Sequence, residues 1–136
     1  MEPLPPALKA FVGAARVCRI ATVRADGTPH VIPVCPVFDG EATLYADIGP
    51  RYTTAEALHA NPSIAVLIDE YSDDWSQLKA VLLRCRAEPA PPAEKERAWE
   101  MIRVKFPTYK EIGWEPRLTL ALRIQDWRQW GIVTQP

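Results

Sequence analysis

The placement of Asp-Gly and three prolines between Val17 and Asp39 constrains this chain more than any other feature. Two runs rich in Val, Ile, Thr and Ala flank Arg24-Ala25-Asp26-Gly27-Thr28-Pro29. Asp-Gly supplies the positive φ that a tight turn between strands needs, so the stretch reads as a β-hairpin. Its second arm carries Pro29, Pro33 and Pro36. Lacking N–H groups, they leave part of that arm unpaired or bulged, and such an edge can face a ligand.

The flanking segments predict what the hairpin packs against. Leu8, Phe11, Val12 and Ala15 recur at helical spacing, predicting an amphipathic helix over 6–15 with prolines at its entry that lies as a lid on the sheet. Strands are expected at about 17–24, 29–38 and 42–48, the first three forming a meander. Thr53-Thr54-Ala55-Glu56 has the S/T-x-x-E pattern of a capping box, opening a short helix that ends at Asn61-Pro62. Preceded by Arg51, its N-terminus is either an anion site for phosphate or carboxylate, or a self-capped helix with a solvated arginine. Further strands are expected at 64–69 and 78–88. The acidic link between them carries Trp75, an aromatic that either plugs a core or stacks on a planar ligand. A helix follows over 93–105 with Ala98, Trp99, Ile102 and Phe106 as its apolar stripe, then a polar connection containing Pro107 and Gly113. In the last strand, Leu118, Leu120, Leu122 and Ile124 alternate with Thr119, Ala121, Arg123 and Gln125, predicting one wet face.

Charge and cysteine content narrow the function classes. Sixteen Lys+Arg against seventeen Asp+Glu give a net charge of -1 and no long-range field for collecting nucleic acid or anionic membrane. No apolar run approaches the roughly 20 residues of a membrane span, and the start has no secretory pattern, so a cytoplasmic protein is expected. Cys18, Cys35 and Cys85 have no C-x-x-C spacing, and with only His30 and His59 beside them no zinc set is expected.

These elements predict one domain over 1–136, mainly β (α+β), with six antiparallel strands closing into a small barrel plugged by short helices. The order of ATVRADGTPHVIPV, LYADIGPR, ANPSIAVLID, DDWSQL and VLLRCRAE resembles the FMN-binding split β-barrel family typified by pyridoxamine 5'-phosphate oxidase. The DDW loop is similar to that of the smaller members assigned to the deazaflavin coenzyme F-420. The resemblance runs from about Val17 to Glu88, with the Trp-bearing final strand as further support.

The resemblance implies flavin contacts position by position. The second hairpin strand would lay Ile32, Pro33, Val34 and Cys35 along the ring, and Tyr45 and Ala46 would touch ring and ribityl chain. Arg51 and Tyr52 would hold the phosphate beside Thr53 and Thr54. Trp75 is a candidate stacker, and Lys79 a candidate for stabilising negative charge on a reduced ring. The family places its flavin between two subunits, which implies a homodimer. The chain also departs from the family pattern: Tyr52 stands where a second basic ligand is expected, Ile32 where a ring arginine is expected, Ala80 for a glutamine and Cys85 for a glycine. Weaker phosphate and ring contacts follow, and pyridoxamine phosphate oxidation itself is not expected.

The resulting expectation is an oxidoreductase moving hydride through FMN, or alternatively the deazaflavin, to a small molecule, with the ring carrying the chemistry and no protein acid, base or nucleophile required. Two other readings stand beside it. One is a non-catalytic flavin or haem binder on the same barrel, with His30 or His59 as axial ligand; the other is a barrel without ligand serving as a dimeric interaction module.

Overall fold

The computed structural model describes residues 1–50 and 53–133. Its helices and strands follow in the order α1 (Pro6–Ala14), β1 (Cys18–Val23), β2 (Pro29–Val34), β3 (Val37–Phe38), β4 (Thr43–Ile48), α2 (Thr53–Ala60), β5 (Ser63–Glu70), β6 (Lys79–Pro89), α3 (Pro92–Lys105), α4 (Thr108–Glu111) and β7 (Leu118–Trp130). One antiparallel sheet in the order β2-β1-β5-β6-β7-β4-β3 curls into a split barrel.

The hairpin forms as its residues dictate. β1 and β2 pair from Val23↔Pro29 to Cys18↔Val34. Gly27 takes φ 86°, Arg24 N–H donates to the Thr28 carbonyl at 2.9 Å, and the Asp26 carboxylate accepts from Thr28 N–H at 2.9 Å.

Two features differ from the sequence-based expectation, both because of proline. The run expected as one strand over 29–38 is two, making seven strands rather than six. Pro36 cannot continue the ladder and holds Cys35 extended, so the chain leaves β1 after Val34 and rejoins the sheet at Val37 beside Tyr45. The expected meander of the first three strands is therefore absent. β4 pairs with β3 and β7 instead of β2, and β2 and β3 lie at opposite edges of the sheet.

A single apolar core fills the barrel. Ile20, Leu44, Val66, Leu83 and Leu122 are buried from five strands, and Leu8 and Val12 of α1 close one opening. A second core lies outside the sheet, where Ala98, Trp99, Ile102 and Phe106 of α3 cover Val37, Tyr45 and Ala121. This corrects the expected wet face of the last strand over its first half: Thr119 and Ala121 are as buried as Leu120 and Leu122, whereas Arg123 is half-buried and Gln125 exposed. β4 is thus buried along both faces. β7 also runs to Trp130, five residues beyond the expected end, its register with β6 shifting at Arg84/Cys85. Among the described residues, no helix is long and apolar enough to cross a membrane.

Candidate functional site

The split between the edge strand β2 and the barrel wall opens into a cleft of about 530 Å³. Ile32, Pro33, Val34 and Cys35 line one side. Successive residues point to opposite faces of a strand, so four in a row can line one cavity only through the strand's free edge. Pro33 suits that edge because it has no N–H to leave unpaired there.

The opposite side comes from β4 and from the connection after α3. Asp47, Ile48 and Gly49 form its base, and Phe106, Tyr109, Ile112 and Trp114 form a wall. Tyr109 is the hub of that wall: its ring meets Trp99, Phe106 and Trp114 edge-on at 5.5, 6.3 and 5.6 Å between centroids. Burial first, then the neighbouring Cys35 thiol, pushes the Tyr109 phenol up to about 12, so at neutral pH it stays protonated.

Asp47 pins the wall from below. Its carboxylate accepts from Trp114 Nε1 (2.9 Å), from the Arg117 amide (3.1 Å) and from the Thr119 hydroxyl (2.8 Å), and Thr119 in turn accepts from Trp99 Nε1 (2.9 Å). A buried carboxylate with this many donors is a structural anchor, satisfied without a ligand.

Lys105, at the end of α3, holds the opposite corner. Its ammonium donates to the carbonyls of Gly13 (3.0 Å), Ala15 and Pro36 (2.9 Å), tying the end of α1 and the β2–β3 crossing to α3. Burial, and after it the nearby Arg16, lowers its pKa below the usual lysine value.

The residues expected at the site from sequence do not all converge on this cleft. Ile32, Pro33, Val34 and Cys35 line it. Tyr45 and Ala46 do not: the Tyr45 hydroxyl donates to Glu94 Oε2 of α3 at 2.8 Å, and Ala46 is fully buried on the other face of β4. Glu94 also pairs with Arg123 at 2.9 Å, and Arg123 first, then Tyr45, holds its carboxyl below the ordinary value. Thr53 and Thr54 open α2, a few residues beyond Gly49 of the cleft, and Arg51 and Tyr52 lie outside the described residues. The Thr54 hydroxyl is fully buried and has no hydrogen-bond partner among the described residues. Trp75 is 74% exposed in a short 3₁₀ turn capped by Asp74, so it plugs no core, and neither it nor Lys79 at the start of β6 lines the cleft. His30 and His59 are also absent from its lining. Burial pushes the Cys18 and Cys85 thiols up to about 12, leaving them unreactive, whereas Cys35 is the cysteine on the cleft.

Sequence reasoning placed Phe106 on the apolar stripe of the helix but missed the wall from Tyr109 to Trp114, which read as a polar connection. The available signal was its aromatic content, since Phe106, Tyr109 and Trp114 within nine residues are more than a solvated loop needs.

Residues 4–131 match the family described as pyridoxamine 5'-phosphate oxidase. The chain belongs to that split-barrel family. No protein of curated function matches it in sequence. Solved structures share the pyridoxamine 5'-phosphate oxidase-like fold at low identity. A haem-binding protein from Mycobacterium smegmatis superposes with a TM-score of 0.79 at 20% identity, covering 94% of this chain and 55% of its own, so this chain spans only about half of that protein. An FAD-binding protein from Mesorhizobium loti gives 0.71 at 24% identity, covering 94% and 95%. The haem storage protein of Vibrio cholerae gives 0.76 at 17% identity, covering 93% of each. Members of this one fold thus hold flavin in one case and haem in others.

Proposed function

We propose that this member of the pyridoxamine 5'-phosphate oxidase-like family binds FMN in the cleft beside β2 and serves as an oxidoreductase acting on a small molecule; the deazaflavin coenzyme is the alternative occupant. The observation that carries the reading is the cleft itself, an apolar slot bounded by a proline-bearing strand edge and an aromatic wall, suited to a flat ring. Bound flavin supplies the hydride chemistry. The chain's part is to position the ring between Ile32–Cys35 and the Tyr109 wall, to exclude water, and to hold the phosphate.

The unpartnered Thr54 hydroxyl supports a phosphate at the start of α2. A buried polar group without a partner costs about 1–3 kcal/mol; Thr54 is fully buried and off the cleft lining, so a phosphate oxygen would remove that cost only with a shift of the start of α2. Flavin is favoured over a histidine-ligated haem because neither His30 nor His59 lines the cleft.

Thermal denaturation with excess FMN, FAD, deazaflavin coenzyme and haem, read with the absorption spectra, tests the proposal. A ligand held only by the native state at a hundred times its dissociation constant stabilises by about 2.7 kcal/mol, a rise of several degrees for a domain of this size. Thr54→Val should leave the unliganded protein as stable or slightly more so while weakening FMN binding. A rise with haem alone, accompanied by a Soret band, would sink the flavin reading in favour of a haem binder. No rise with any of the four would sink both.

The same reading includes a second copy of the chain. The outward face of β2-β1-β5-β6 carries Val31, Ala21, Ala65, Leu67 and Leu82 across the registers, interspersed with the Arg19–Asp69 and Arg84–Asp126 ion pairs, with Val31 61% exposed. Pro33 belongs to both this face and the cleft rim, so a partner seated there would complete the cleft. Sedimentation should report a dimer that Val31→Asp converts to a monomer; a wild-type monomer at micromolar concentration would refute the dimer.

A further inference from the structure

We propose that Arg16, in the link between α1 and β1, is the oxyanion anchor of the cleft, taking either the carboxylate of a small organic substrate or the phosphate of the cofactor. Arg16 lines the cleft, and its guanidinium is fixed on two sides. Its plane lies over the Phe106 ring with Cζ 4.6 Å from the centroid, and Nη2 donates to the Lys105 carbonyl at 3.1 Å. A guanidinium carries five N–H donors in a rigid fork, so one bond to the Lys105 carbonyl leaves most of the fork available.

Among the described residues, no acid neutralises it. Their ion pairs join Lys9 to Glu41, Arg19 to Asp69, Arg84 to Asp126, and Arg123 to Glu88 and Glu94, and none includes Arg16. Among the described residues, the one carboxylate on the cleft lining is Asp47, whose oxygens are engaged by Trp114, Arg117 and Thr119. The Lys105 ammonium beside Arg16 adds a second positive charge and is itself saturated by three carbonyls. An exposed guanidinium on the lining of a largely apolar cleft, next to a second cation and without an acidic partner among the described residues, favours a planar oxyanion that can accept two parallel hydrogen bonds. Phe106 also holds the side chain ordered before any ligand arrives, which lowers the entropic cost of binding.

The phosphate source rests on the flavin reading, whereas the carboxylate source does not. Calorimetric titrations with benzoate and with inorganic phosphate, together with the affinities for FMN and for riboflavin, separate the two. They are run on the wild type, Arg16→Gln and Arg16→Lys. If Arg16 takes a carboxylate, benzoate binding falls at least tenfold in Arg16→Gln, survives in part in Arg16→Lys, and the preference for FMN over riboflavin is unchanged. If it takes the phosphate, that preference collapses at least tenfold and benzoate is indifferent to the substitution. Arg16-dependent oxyanion binding by a protein with no flavin affinity would uphold this proposal while refuting the flavin reading. Equal affinities in wild type and Arg16→Gln for every probe, or no oxyanion binding by the wild type, would overturn it. The unliganded thermal midpoint of each variant shows whether it is folded, and Arg16→Lys carries the test if Arg16→Gln is not.

Discussion

Replacing Asp47 with alanine should cost about 3–5 kcal/mol of folding free energy, because hydrogen bonds to a buried charged group are worth about 1.5–3 kcal/mol each and orphaned donors add their own desolvation penalty. The indole of Trp114, the amide of Arg117 and the hydroxyl of Thr119 all lose their acceptor together. Thr119 can rotate toward another acceptor, but an indole N–H and a backbone amide cannot. The loss falls on the segment that forms the far wall of the cleft, so ligand binding should weaken more than the change in global stability alone explains. Urea denaturation of Asp47→Ala and Asp47→Asn measures the first effect; Asn keeps one acceptor and should cost about half as much. A loss below about 1 kcal/mol in the alanine variant would mean that the wall is held by its aromatic packing rather than by this carboxylate.

Leu8→Ala should cost about 3 kcal/mol, within the range measured for fully buried leucines, and should act on the site from a distance. Leu8 is fully buried in the first turn of α1, where the helix closes the barrel. α1 has no side-chain cap, no acidic residue in its first turn and no basic residue in its last, so packing rather than capping or the helix dipole holds it in place. A cavity beneath it should therefore release the helix locally before the barrel opens, which amide exchange would show as lost protection over Pro6–Ala14. Arg16 follows two residues after that helix, so the oxyanion contact should weaken in the same variant. If exchange instead rises uniformly across the sheet, α1 is integral to the cooperative unit and not a separable lid.

What the residues made legible was local. The Asp26-Gly27 turn, the helices beginning at Pro6 and near Pro92, the helix ending before Asn61-Pro62 and the strand from Leu118 are each specified by their own turn chemistry or periodicity, and each formed where expected. Partnering was less legible. Pro36 announces a break but does not say that the chain then crosses to the opposite edge of the sheet, because that depends on β4 pairing with β7 seventy residues later. Thr119 and Ala121 looked solvated because alternation says which residues share a face, not whether a helix covers it. At the site, the prolines of the second hairpin arm marked an edge able to face a ligand, and the family resemblance placed Ile32 to Cys35 along it; these residues do line the cleft. Arg16 and the Tyr109 wall were not legible, since their proximity to that edge arises only from packing.

The crossing at Cys35-Pro36 has an evolutionary corollary. One bank of the cleft belongs to the last residues of β2 and the other rests on β4, to which β3 is zipped. Those two banks are joined by a tether of only two residues, which can span no more than about 10 Å from Val34 to Val37. The tether acts as a stop: chain length limits how far β2 can stand from the β3–β4 bank, alongside the side chains that line the slot. A lineage of such barrels could therefore change the thickness of the molecule it accepts by inserting or deleting a single residue here, leaving both cores untouched.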